Sequence, residues 1–228
     1  MLGAGRYIRI KSYLSSGHSA KPWSLPAILM SLSKIQQYTD DASPDNWMKY
    51  AQELRDAAVS MWKDQGKIID LNVGTGEKIE RPAISRVFLL NSGLSIENLL
   101  KAYMIAVEPG LINTGQLDKR LAVHDLQKLA LETDLVFSAS EMELLRILSE
   151  AIPYWGRYPV PRNFNQLKTA YIADAQVFEL FKLLFKKIFE ATFKKIENGW
   201  DAGNGVSFPN IGFHNLRDDG WEMGTASD

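Results

Sequence analysis

Arg120 and His124 stand just ahead of the run Asp125-Leu126-Gln127-Lys128-Leu129. An imidazole titrates near neutrality and can give or take a proton, while a guanidinium is a fixed cation that steadies charge developing on a phosphate. The pair therefore fits general acid–base work on a phosphodiester, with His124 moving the proton. The competing reading is a boundary histidine at a helix start, bonding the backbone of the cap.

A second set lies further along. Arg157 and Arg162 flank Tyr158, Pro159 and Pro161, in a stretch that also holds Tyr154, Trp155 and Asn163. Two guanidiniums beside stacking rings would hold a single strand or a nucleotide, which makes Arg157, Tyr158, Arg162 and Asn163 a candidate ligand-binding set. Equally, the arginines would satisfy carbonyls and a carboxylate while the rings fill one end of the fold.

Other motifs carry less. His18, His124 and His214 are too far apart in sequence to suggest a metal site, and no motif calls for a cofactor. Gly74-Thr75-Gly76 lacks the lysine-serine or lysine-threonine pair of a phosphate-cradling loop. Lys182, Lys186, Lys187, Lys194 and Lys195 read as a solvated helix face rather than an RNA-binding ridge.

The elements that must position these residues are helical. From Leu25 to about Tyr38, the spacing of Ile28, Leu29, Leu32 and Ile35 predicts a short helix. Ser43-Pro44-Asp45 opens a long one that runs to about Gln65 and stops at Gly66, with serine as N-cap and proline in the first turn. Residues 67 to 81 suit a small hairpin or a loop. A central helix follows from about Pro82 to Val107, with Ile96, Leu99, Leu100, Tyr103, Met104 and Val107 on one broad face and the pair Glu97 and Lys101 on the other. Gly93 within it calls for a close packing partner, since glycine inside a helix costs about 1 kcal/mol against alanine.

Asp125 caps the next helix, and Ser138 or Ser140, the latter with Glu143, resembles a capping box for another that Pro153 ends. The stretch from Tyr154 to Asn163 reads as an extended crossing, because Pro153, Pro159 and Pro161 fix φ and remove donors. The last long helix spans about Leu167 to Asn198, closed by Asn198-Gly199. Its apolar face is wide enough to require cover from elsewhere in the chain or from a second subunit.

These readings divide the chain into an N-terminal arm and short helix (1–43), a helical domain (44–198) and a Gly-rich tail docked on it by its aromatic residues (199–228). With 228 residues, of which 46% are hydrophobic, the chain can bury a sizeable core. A net charge of -1 supplies no global pull toward nucleic acid or an anionic membrane, so a polyanion contact requires a local patch. The absence of cysteine excludes disulfides and thiolate metal sites and fits a reducing compartment. The apolar run Leu25–Leu32 is broken by Pro26 and Ser31 and is too short for a bilayer, so the expectation is a soluble, cytoplasmic protein without a membrane partner.

Three motifs taken together carry a family likeness. Gly93-Leu94-Ser95-Ile96-Glu97-Asn98-Leu99-Leu100-Lys101-Ala102, His124-Asp125-Leu126-Gln127-Lys128-Leu129 and Gly156-Arg157-Tyr158-Pro159, in that order, resemble the HEPN (higher eukaryotes and prokaryotes nucleotide-binding) superfamily over residues 44 to 198. The resemblance implies an all-α, up-and-down bundle of four or five helices that pairs with a second copy, flanked here by the irregular arm and the tail. Many such proteins are metal-independent ribonucleases of toxin–antitoxin or defence systems; others are non-catalytic nucleotide- or RNA-binding partners. The alternative, from a different class, is a helical interaction module that docks a protein partner and performs no chemistry. Catalytic members carry an arginine and a histidine a few residues apart near the start of the final helix. Arg162-Asn163 stands where that motif begins, and Phe164 to Thr169 supplies no histidine. Arg120 and His124 are more closely spaced and precede an earlier helix. If the chain cleaves RNA, the substrate 2′-hydroxyl is the nucleophile, His124 the acid or base, and Arg120, Arg157 or Arg162 the stabiliser of the pentavalent phosphate.

Overall fold

A computed structural model describes residues 33–158, 160, 163–166 and 171–209. Within them the protein is a mainly α-helical bundle with two small antiparallel hairpins. The arm, most of the short helix predicted from Leu25, Arg162 and the tail beyond Pro209 lie outside the described residues.

Helix α1 spans Lys34–Asp41. Ser33 starts it with a capping box, its hydroxyl accepting from the Gln36 amide while the Gln36 side chain accepts from the Ser33 amide. Helix α2, Pro44–Lys63, begins where Ser43-Pro44 predicts, although the Ser43 hydroxyl donates to Asp45 at 2.6 Å instead of capping an amide. Strands β1 (Lys67–Leu71) and β2 (Lys78–Pro82) then form a hairpin whose tip is Gly74-Thr75-Gly76, which settles the choice between hairpin and loop. Because β2 runs to Pro82, the central helix α3 starts at Ser85 and ends at Val107.

Helix α3 is the axis of the bundle and is buried along nearly its whole length. Against it pack α2, the short α4 (Leu126–Leu131), α5 (Ala139–Glu150) and α6 (Ala175–Ile196). Gly93 performs the packing role its sequence suggests. A methyl group there would lie 3.0 Å from Cγ1 of Ile152 and 3.1 Å from the Leu148 carbonyl oxygen, so α5 could not sit as close. On the other side, rings interlock across three helices: Trp62 of α2 stacks on Phe178 of α6 at 5.1 Å, and Phe88 of α3 meets Phe181 edge-on at 5.8 Å.

Three expectations are corrected here, and the choice left open for the capping box of α5 is settled. Pro153 does not end the fifth helix: the chain continues from α5 through a wider, π-type turn over Ala151–Trp155, closed by the Gly156 amide donating to the Ala151 carbonyl at 3.0 Å. Gly156 is obligatory in that turn, since a Cβ would fall 2.5 Å from the Ala151 carbonyl oxygen. The crossing is therefore not extended throughout, and Phe164–Gln166 adds a 3-10 turn. Ser138 with Glu141, and not Ser140 with Glu143, makes the capping box of α5. Helix α6 starts at Ala175, where Asp174 accepts from the Val177 amide at 2.9 Å, because residues 171–174 are not helical. The wide apolar face of α6 is covered largely within the chain, Phe181, Leu184 and Ile188 being fully buried, while Leu183 stays exposed.

After Gly199, whose φ of +109° favours glycine, Trp200–Asp201 (β3) pairs with Ser207–Phe208 (β4). Trp200 stacks on Phe208 at 5.2 Å, and Asn204 ties the hairpin to Thr39 of α1 and to the Asn113 carbonyl. Among the described residues no helix is long and apolar enough to cross a membrane.

Candidate functional site: a histidine on a buried carboxylate

Glu97 and Lys101 of α3 lie one helical turn apart, and the Lys101 ammonium donates to Glu97 Oε1 at 2.6 Å. Their spacing predicts the pair, but on a face of the helix away from the apolar one. In the bundle both are about 95% buried, because α3 is surrounded on every side. Burying a charge is costly unless it is paired and bonded, and here each ion neutralises the other. Lys101 also sits 5.8 Å from the centre of the Trp47 ring of α2.

His124 completes the cluster. Its Nδ1 lies 3.1 Å from Oε1 and 3.0 Å from Oε2 of Glu97, while 58% of its side chain is exposed. The backbone that delivers it is fixed on both sides. Leu121 and Leu126 are fully buried, Asp125 caps α4 through the Lys128 amide at 3.1 Å, and the Leu126 amide donates to the Ser149 hydroxyl of α5 at 2.8 Å. His124 is thus neither partnered with Arg120 nor spent on the helix cap. In the neutral ring, a carboxylate on Nδ1 favours the tautomer with its proton there, which turns the Nε2 lone pair away from Glu97.

Arg120 is placed differently from its sequence expectation. Its two terminal nitrogens donate to the two carboxylate oxygens of Glu108 at 3.0 and 2.7 Å, and Nε donates to Asp118 at 3.3 Å. The Glu108 bond, reinforced by Asp118, raises the guanidinium above its ordinary value and holds it charged, with two carboxylates balancing that charge. No hydrogen bond joins Arg120 to His124 among the described residues. Arg157 and Tyr158 are exposed, and Arg157 has no ion-pair partner among the described residues. Asn163 is exposed and accepts from the Asn165 amide at 2.9 Å, forming a local turn. Arg162 lies outside the described residues, so the pairing of Arg157 with it remains an expectation of the sequence.

Sequence reasoning named His124 but not its partner. Glu97 precedes it by 27 positions, and only the fold brings them together. Two later segments meet α3: His124 contacts Glu97, and a Cβ on Gly156 would lie 3.0 Å from Cβ of Leu90. Among the described residues no group of three histidine, aspartate or glutamate side chains is placed to hold a metal ion. No family model, curated protein or solved structure matches this chain.

Proposed function

We propose that this chain is a HEPN-like protein that binds RNA or a nucleotide and cleaves RNA with His124 as its acid–base group. The observation that carries the reading is the contact between His124 Nδ1 and the buried carboxylate of Glu97, at 3.0 Å. Nε2 of His124 takes the proton of a ribose 2′-hydroxyl, O2′ attacks the adjacent phosphorus, and the bond to the 5′-oxygen breaks, that oxygen leaving with a proton from water. The products are a 2′,3′-cyclic phosphate and a 5′-hydroxyl. Glu97 positions the ring and offsets the charge of the imidazolium as it forms. Arg120 has no part in this scheme because Glu108 and Asp118 occupy it. The cationic stabiliser falls instead to Arg157 or Arg162. A homodimer and a defence or toxin–antitoxin setting rest on the family resemblance, and a cytoplasmic location on the cysteine usage and apolar patterning of the sequence.

The test is incubation of the purified chain with single-stranded RNA, alongside the His124→Ala protein. Fragments ending in a cyclic phosphate from the first and none from the second support the reading; RNA left intact by both overturns it. The pairing of Arg120 with two carboxylates favours a second reading, a helical protein-interaction module without chemistry. Intact RNA together with no mobility shift is the result that second reading expects.

A further inference from the structure

Beside the buried ion pair, α1 and α2 leave an open groove of about 390 Å³, with Tyr38, Asp41, Trp47, Tyr50, Asn98 and Leu117 among its walls. The joint between the two helices is tied. The Trp47 indole donates to the Ala42 carbonyl at 3.0 Å, and the Asn46 amide reaches the Asp40 and Asp41 carbonyls at 2.9 and 3.3 Å. Three rings therefore line a held surface, with Tyr50 more than half exposed and Tyr38 half-buried. Its size falls in the range of small-ligand sites, about 300–1,000 Å³.

Among the described residues one charged side chain lines it. Asp41 is exposed, and no described side chain bonds its carboxylate. Asp40 and Asp41 stand at the C-terminal end of α1, where the helix carbonyls add negative character and no basic residue in the last turn offsets it. A phosphate chain is repelled from this end and a cation is drawn to it. Ring faces favour the same sign, as Trp47 already does with Lys101. Among organic cations the guanidinium suits both features, because it is flat and weakly hydrated, stacks on aromatic rings, and carries a fork of N–H donors that matches a carboxylate. An ammonium would satisfy the carboxylate and remain hydrated over the rings.

We infer that this groove is the docking site for an arginine side chain presented by a protein partner, its guanidinium on Asp41 and its plane against Tyr50 and Trp47. The site is separate from the acid–base reading and uses none of its residues.

The test follows the Trp47 indole N–H resonance of the full-length, ¹⁵N-labelled chain, assigned through Trp47→Phe, on titration with N-acetyl-arginine N-methylamide. The lysine analogue and guanosine monophosphate are titrated in parallel. A saturable shift with the arginine probe, weaker with lysine, and an affinity about tenfold lower in Asp41→Asn support the inference, a charge-assisted hydrogen bond being of that size. Tyr50→Ala, at an exposed position, weakens the same titration. An unmoved Trp47 signal overturns the proposal, as does equal binding by Asp41→Asn or by lysine, or a response to the nucleotide alone. His124→Ala leaves the titration unchanged, which keeps its outcome apart from that of the RNA assay.

Discussion

Glu97 accepts at once from Lys101 of its own helix, at 2.6 Å, and from His124 of a distant loop, at 3.0 Å. One buried carboxylate thereby sets both the local charge balance of α3 and the orientation of the one exposed imidazole in the described residues.

The two ions of α3 depend on one another. Glu97→Met alone leaves the buried Lys101 ammonium without its carboxylate and should cost about 3–5 kcal/mol in urea unfolding, and Lys101→Met, which leaves Glu97 its contact with His124, should cost less. The double variant fills the same space without charge and should unfold within about 1 kcal/mol of the wild type, since well-packed apolar replacements of buried pairs are often neutral. Single variants as stable as the double would contradict the pairing.

Gly156→Ala should destabilise by about 1–3 kcal/mol, the usual cost of overpacking, because the new methyl meets a backbone oxygen that no rotamer change can move. Gly93→Ala should cost less, as its contacts are looser, with the Ile152 side chain at 3.0 Å and the Leu148 carbonyl oxygen at 3.1 Å against 2.5 Å at Gly156. Chemical denaturation reads both, and an equal or reversed order would contradict the close contacts described for the π-type turn.

Stability should fall with acid at Glu141. Burial alone would raise its carboxyl, but Lys187, at 2.8 Å, and the Ser138 amide outweigh it and hold the group below its ordinary value of 4.5. A carboxyl depressed in the folded state contributes stability that is complete above the unfolded value and is lost as pH falls through the folded one. Glu141→Gln keeps the reach back to the Ser138 amide and removes only the charge. It should therefore be less stable than the wild type near neutrality, with the gap closing in acid. A gap that is constant with pH would contradict the ion pair.

What the sequence disclosed was local. Ser43-Pro44, Gly66, Asp125 and Asn198-Gly199 mark helix ends because caps and stops are written in one or two residues. The same rule was available for the Ser33–Gln36 box and for Asp174, which a helix start at about Leu167 passes over. Pro153 misleads because a proline is a breaker for a turn of ordinary width, and the wider turn at Ala151–Trp155 accommodates it. The site was legible by half. His124 is conspicuous as a residue type, but a Glu and a Lys four apart look alike on a solvated face and in a core. Their burial follows from α3 being enclosed on all sides, which no periodicity within the helix encodes. Arg120 was legible as a cation, but its bonds to Glu108 and Asp118 come from the fold.

The account turns on Glu97 holding His124 with its proton on Nδ1, and the ¹⁵N shifts of the His124 ring in the neutral state measure that directly. The wild type should show a protonated, pyrrole-like Nδ1 and a bare, pyridine-like Nε2. The Glu97→Met, Lys101→Met double variant should return to the Nε2–H tautomer usual for free imidazoles. A wild-type ring already protonated on Nε2 would contradict the account, because its outward nitrogen would have no lone pair with which to take a proton.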